Sequence, residues 1–387
     1  MKLFKLLLMM FGLVVSQMAS AQINMALLGD SIIDDYLGPS DFIGTNTNLA
    51  AGSFGQILAE TRGSQINFGS YRAPTNNSAD AWDSIRNFGY EYNWATAGAT
   101  ASPQDINLDF NGRLVSSQPG VIDPMEDYVS LPVASNLGVQ VAGLTPSITA
   151  GDVDTVVISV GPNDFFYHTN VIDTVDGGLY PAYDGQIDEA FTNLVADSIL
   201  SSIDELQAAG DVDIVLGLLA TIPTMTQAEI DGVGVVNARL LTEAAAKGVV
   251  VLDLIEWTVS GENVDPITGD VTIGNVVVEY GSVADRNTDL GVEGDGVFCN
   301  FEGECPLDSH ATKYLSEDGM HLNTLMQGML ANEIITALNS NFGHNIELLS
   351  DNELLSLVGV SQVPIPAAAW LFGSALLMLV GRKRYKV

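Results

Sequence analysis

Apolar positions along the chain fall into two rhythms. Short runs of strand length stand at 23–28, 90–97, 154–160, 213–220 and 249–254, all but the second rich in Val, Ile and Leu. Between them lie stretches whose apolar residues recur every three or four positions, the spacing of one helix face. The first is 50–61, with Phe54, Ile57 and Leu58 together. The longest is 187–209, where Ile187, Phe191, Leu194, Val195, Ile199, Ile203 and Leu206 form one stripe and Gly210 marks the stop. A third runs 235–247 and ends at Gly248, and a fourth runs 323–338 with Leu325, Met329, Leu330, Ile334 and Leu338 inward. Strand and helix taking turns in this way predict an α/β fold, a mainly five-stranded parallel sheet covered on both faces in three α/β/α layers.

Polar stretches interrupt this pattern without starting a second core. Loop insertions are expected near 62–88, 102–150 and 259–310, the last with a small edge strand at 276–280. No internal repeat is evident. The expected organisation is one domain over 22–345, a linker at 346–362, and a separate terminal segment at 363–387.

Both ends read as processing signals. Residues 1–21 carry Lys2 and Lys5, an apolar core from 6 to 15, and Ala19-Ser20-Ala21 as a small-residue cleavage site, the anatomy of a secretory signal peptide. The other end reads Val363-Pro364-Ile365-Pro366, then 367–380 without a charge, then Gly381-Arg382-Lys383-Arg384. That stretch is short for a membrane span, and its basic end would stay cytoplasmic, leaving the domain outside. The segment resembles the PEP-CTERM sorting signal of Gram-negative bacteria, with Ile365 where the commonest form has Glu. The resemblance implies export, transient retention in the inner membrane, and cleavage near the box by an exosortase; the alternative is a simple anchor.

Charge sharpens the picture. Formal net charge is -34, but the two ends hold six of the 14 basic residues and no acid, so the body sets 48 acids against 8 basic residues. Such a surface repels nucleic acid and anionic headgroups. It suits an exported protein, at the cell surface or extracellular. Cys299 and Cys305, with five residues between them, can close a small loop in an oxidising compartment; two free thiols are the alternative. No histidine–cysteine cluster has zinc spacing, and no metal or cofactor is expected. Trp82, Trp94 and Trp257 read as core or cleft wall, and His168 as structural or solvent-facing.

The chemistry lies at the strand ends. Ser31 follows the first strand through Gly29-Asp30, Gly98 follows the second, and Asn163 follows the third through Gly161-Pro162. Parallel strands bring such residues to one rim, where open α/β sheets bind ligands. Asp318-Gly319-Met320-His321 precedes the last helix and offers an acid and an imidazole. A serine nucleophile needs a base within hydrogen-bond reach, a carboxylate to orient that base, and donors for the developing oxyanion. Each residue also has a plainer reading: Ser31 as a turn residue, Asn163 and Asp164 as backbone caps, Asp318 as a surface acid, and His321 as a helix start.

Together these blocks resemble the SGNH, or GDSL-type, serine esterase and lipase superfamily. Its four blocks stand in family order as Gly29-Asp30-Ser31-Ile32, Gly98, Gly161-Pro162-Asn163-Asp164 and Asp318-Gly319-Met320-His321, and the likeness spans about residues 23 to 340. The resemblance implies a flavodoxin-like three-layer fold and hydrolysis of carboxylic esters through an acyl-enzyme. It assigns Ser31 as nucleophile, His321 as general base and acid, and Asp318 as its orienting carboxylate. The Ser31 amide, Gly98 and Asn163 would form the oxyanion hole. Leu322 departs from the proline often found after the histidine. Ester substrates of several kinds fit: an acyl ester, a lipid or an acetylated glycan. The alternatives are a polysaccharide O-acetyl esterase of the extracellular matrix and a non-catalytic matrix or carbohydrate-binding protein on the same scaffold. The chain is expected to be monomeric.

Overall fold

The computed structural model describes residues 22–34, 53–72, 89–96, 99–103, 136–171, 186–221, 225–253, 263–283, 313–315 and 321–358. The elements begin with β1 (Ile23–Gly29), α1 (Phe54–Thr61), β2 (Ile66–Asn67), β3 (Tyr71–Arg72) and β4 (Gly89–Tyr90). There follow α2 (Leu137–Ala150), β5 (Thr155–Ser159), α3 (Pro162–Val171), α4 (Glu189–Ala209), β6 (Asp213–Gly217), α5 (Gln227–Ala246) and β7 (Val250–Leu252). The remainder comprises β8 (Val271–Ile273), β9 (Val276–Val283), β10 (Lys313–Leu315), α6 (Thr324–Phe342) and α7 (Asp351–Leu357).

The central sheet is five-stranded and wholly parallel, in the order β2-β1-β5-β6-β7. Its two-residue side-chain alternation divides the core. Met25, Leu27, Val157 and Val215 face the layer of α1, α6 and α7. Ala26, Leu28, Val156, Ile158, Ile214 and Leu216 face the layer of α2, α4 and α5. Both faces of β1 are therefore covered, which is why its run is apolar but for Asn24 near its start. Crossovers are covered by capped helices: Asp188 accepts from Phe191 N at the start of α4, and Thr226 pairs with Glu229 in a capping box on α5.

Several expected boundaries move. The fifth strand is β2, inside the stretch read as surface loop at 62–88, and not the run at 90–97. That run does lie along β1: Tyr92 O accepts from Leu27 N at 3.0 Å, Trp94 N donates to Leu27 O at 2.8 Å, and Thr96 N donates to Gly29 O at 3.0 Å. The buried Asn93 folds its side chain back onto Ala95 N, so the ladder is broken. β2 and the 92–96 segment thus share one edge of β1. The stretch at 102–150 holds α2, capped by Asn136 and stopped by Gly151 at φ 77°. Its apolar positions include Pro146 and several β-branched residues, which blur the helical signal.

α5 begins at Gln227, eight positions earlier than the periodicity suggests, and buries Val233, Val236, Leu240 and Ala244 while Val235 stands exposed. The insertion at 259–310 contains the β8–β9 hairpin, which β10 joins in parallel to give a second, three-stranded sheet. The stretch expected as linker from 346 is instead part of the core through Val358: Ile346, Leu349, Leu354, Leu355, Leu357 and Val358 are all buried. Arg62 fastens it, donating to the carbonyls of Glu347 and Leu348 and to both carboxylate oxygens of Glu353. Among the described residues no helix is long and apolar enough to cross a membrane. The two ends, 1–21 and 363–387, and both cysteines, Cys299 and Cys305, lie outside the described residues.

Candidate active site

β1 ends in a turn that only glycine can make. Gly29 has φ 156°, and a Cβ there would stand 1.9 Å from Ser159 O on the neighbouring strand. Beyond it the chain folds into one tight turn. Asp30 N donates to Ser159 O at 3.1 Å, and Ile33 N and Asp34 N both return to Asp30 O at 3.2 and 3.1 Å. This leaves Ser31 half-exposed at the C-terminal rim of the sheet.

His321 reaches the same rim from a remote part of the chain. β10 pairs with β9, and Leu315 bridges Leu322 in antiparallel fashion while Asn323 N donates to Tyr314 O at 3.1 Å. Leu322 also packs its side chain against the core, so the position that departs from the common proline is firmly seated. Asn323 then caps α6 by accepting from Leu325 N at 2.9 Å. The result places His321 Nε2 2.6 Å from Ser31 Oγ, across 290 positions of sequence. With the hydroxyl donating to Nε2, the ring proton sits on Nδ1, where it calls for an acceptor.

Asn163 arrives from the third block. Gly161 has φ 127°, and a Cβ on it would stand 2.6 Å from the Leu219 side chain. Pro162 follows as the first residue of α3, where its missing N–H costs nothing. Asn163, half-buried, donates from Nδ2 to Ala99 O at 2.9 Å. The fold thus brings Ser31, His321 and Asn163's helix start to one rim. Gly98 and Asp318 lie outside the described residues. His168 is fully buried, stacked on Phe191 at 4.0 Å, and bonded through Nε2 to Gln186 O; it is structural.

Three buried side-chain amides hold the serine turn, and the sequence pattern does not assign them. Gln140 of α2 accepts from Gly29 N at 2.6 Å and donates to Gly29 O at 2.8 Å. Asn93 donates to Ile33 O at 3.2 Å. Gln327 of α6 donates to Ile32 O at 3.2 Å and accepts from Phe54 N at 3.1 Å, tying the serine turn to the helix that follows His321. A glutamine inside an apolar helix stripe, as Gln140 beside Leu137, Val141 and Leu144, was the available signal, since buried amides need specific partners.

Two buried carboxyls lie beneath this rim. Asp30 accepts from Ile32 N at 3.0 Å through Oδ1, while Oδ2 has no hydrogen-bond partner among the described residues. Burial pushes its pKa up to about 7, opposed by the Ile32 N–H and the His321 charge. Asp164 is also wholly buried, and burial raises its pKa to about 6 against the donors of Ser102 and Ala101.

A hydroxyl hydrogen-bonded to an imidazole at the C-terminal rim of a parallel α/β sheet is the arrangement of a serine hydrolase. The GDSL-like Lipase/Acylhydrolase family matches the chain over residues 25–334, which takes in the serine turn, Asn163 and His321. The chain belongs to that family, whose members act on esters. Among solved structures, it is similar to a member of the lipolytic protein G-D-S-L family from Veillonella parvula, at 14% identity and a TM-score of 0.28 over 60% of this chain and 77% of that one. It is also similar to a variant of an acetyl-xylooligosaccharide esterase from Geobacillus, at 13% identity and a TM-score of 0.31 over 60% and 76%. A catalytic variant of an acetylxylan esterase from Geobacillus stearothermophilus gives 13% identity and a TM-score of 0.29 over 61% and 77%. No curated protein matches.

Proposed function

We propose that this protein is an exported serine esterase that cleaves carboxylic esters through an acyl-enzyme on Ser31. The observation that carries the reading is the 2.6 Å separation of Ser31 Oγ and His321 Nε2, within a family of ester hydrolases. Ser31 Oγ attacks the ester carbonyl as its proton passes to His321 Nε2. Asp318 holds the Nδ1 proton. The tetrahedral oxyanion is met by the backbone N–H groups of Ser31 and Gly98 and by the Asn163 amide. One Nδ2 hydrogen of Asn163 is held by Ala99 O, which fixes the amide and leaves the second hydrogen for the oxyanion. His321 then protonates the leaving alcohol, and water activated by the same imidazole releases the acid.

Export rests on the leader at 1–21 and the tail at 363–387. Val358 is buried in the core and stands only six positions before Pro364. A protein so placed would work at the cell surface, and an exosortase would cut close to the folded domain.

The test is hydrolysis of p-nitrophenyl acetate, butyrate and longer esters by the full chain, beside the Ser31→Ala variant. Activity lost with Ser31, together with labelling of Ser31 by an organophosphonate, is the expected result. The chain-length profile separates an acetyl esterase from a lipase. Wild-type protein that neither turns over ester nor takes the label would overturn the reading. Asn163→Ala is expected to lower turnover about 100- to 1,000-fold, the usual loss for one oxyanion donor, with thermal unfolding little changed.

A further inference from the structure

The loop that follows Gly98 is bound to the start of α3 by a single carboxylate. Asp164 accepts from Ala101 N at 2.7 Å, from Ser102 N at 2.9 Å and from the Ser102 hydroxyl. One position earlier, Asn163 donates to Ala99 O at 2.9 Å. Two consecutive residues of one helical turn therefore grip residues 99, 101 and 102. The loop is closed on its other sides as well: Ala99 N donates to Thr96 O at 3.0 Å, the Thr100 hydroxyl to Ser102 O at 2.9 Å, and Leu137 N to Thr100 O at 2.9 Å.

A wholly buried carboxyl is an expensive way to hold a loop. Apolar contact would pack the same surfaces without desolvating a charge. What the carboxylate adds is direction, because three donors converging on two oxygens fix the loop in both translation and rotation. The helix contributes a second constraint, since Asp164 N donates to Gly161 O at 3.0 Å and so ties the carboxylate to the end of the third block. The loop thus moves with Asn163 and not independently of it.

We propose that Asp164 is a positioning residue of the esterase, setting the 99–102 loop at a fixed distance from the Asn163 amide, which the Ala99 carbonyl of that loop orients. Oxyanion stabilisation needs its donors placed before the charge develops, and this inference rests on the esterase reading above. Among the described residues the hydrogen bonds of the Asp164 carboxylate go to the loop, and none goes to Ser31 or His321.

The experiment compares p-nitrophenyl acetate kinetics and thermal unfolding for the full chain, Asp164→Asn, Asn163→Ala and the double variant. Asparagine keeps the shape but turns an amide N–H toward donors. The expected result is a kcat about 10- to 100-fold lower, the usual penalty for displaced catalytic geometry, with KM little changed. In the Asn163→Ala background the same substitution should cost almost nothing, because the distance it sets no longer matters. Ser102→Ala removes one donor only, keeps the protein folded, and should lower kcat by a smaller factor. A merely structural carboxylate would instead lower the unfolding temperature and leave kcat of the folded fraction intact, and that outcome overturns the role. Losses that multiply fully in the double variant overturn it too. Wild-type activity that Ser31→Ala abolishes, combined with unaltered Asp164→Asn and Ser102→Ala, defeats the positioning role alone. Absence of Ser31-dependent turnover defeats the esterase reading and this role with it.

Discussion

Replacing Gln140 by Leu tests how the serine turn is held. The side chain is wholly buried and bonds both polar groups of Gly29. In Gln140→Leu the Gly29 carbonyl keeps Thr96 N as a donor at 3.0 Å, so only the Gly29 N–H is stranded. A buried unpaired donor costs about 1–3 kcal/mol. The leucine fills a similar volume and recovers about 1 kcal/mol through apolar burial. The net expectation is a loss of up to about 2 kcal/mol, read as a lower urea midpoint with an unchanged m-value. Turnover should fall as well, because the freed peptide lies two residues before Ser31. Gln140→Glu separates the two bonds. A protonated glutamic acid can both accept from Gly29 N and donate to Gly29 O, whereas the ionised form cannot donate. Its folded-state pKa is expected above the unfolded value, so its stability should fall as pH rises from about 5 to 8. A Gln140→Leu variant with the wild-type midpoint and wild-type kcat would refute the reasoning.

Further predictions concern backbone and charge. Gly29→Ala should destabilise by about 3 kcal/mol or more and abolish turnover, since its Cβ would stand 1.9 Å from a backbone oxygen that cannot swing away; near-native unfolding and activity would contradict this. Asp30 has its folded pKa raised to about 7 by burial, so the native state holds an extra proton and stability is lost as pH rises from about 4 to 7. Asp30→Asn should flatten that part of the stability–pH profile, measured by chemical unfolding at several pH values, and an unchanged slope would count against a buried titrating carboxyl. The bonds from Arg62 hold Glu353 down at about 2, so its contribution is present above about 4.5 and is lost as pH falls toward 2. Glu353→Gln should therefore cost stability at pH 7 and nothing near pH 2, with the effect at about 1 kcal/mol or less because the carboxylate is two-fifths exposed; equal costs at both pH values would exclude the ion pair as the cause.

The layer architecture was legible because continuous apolar strands and amphipathic helices have distinct periods, and 23–28, 154–160, 187–209 and 213–220 carry those periods plainly. The chemistry was legible for a related reason. A residue just beyond a parallel strand must reach the C-terminal rim, so Ser31 and Asn163 could be placed before any contact was known. Where the pattern failed, a polar group had found a partner far away. Asn93 interrupts the run at 90–97 because its amide serves Ala95 and Ile33, and β2 takes the vacant half of that edge. The segment at 346–358 reads as linker because its apolar residues stand in short groups broken by Glu347, Asp351 and Glu353; Arg62, almost 300 positions earlier, fastens it to the domain.

By itself, then, the sequence determined the class of fold, the rim on which chemistry would gather and the residue types it would use, since these follow from local periodicity and from where strands end. Only the tertiary structure decided the distance from Ser31 to His321, the amides of Gln140 and Gln327 that hold the serine turn, and the carboxylate of Asp164 that grips the neighbouring loop. Those depend on hydrogen bonds between residues more than 60 positions apart, and a bond of that kind has no period for a sequence to display.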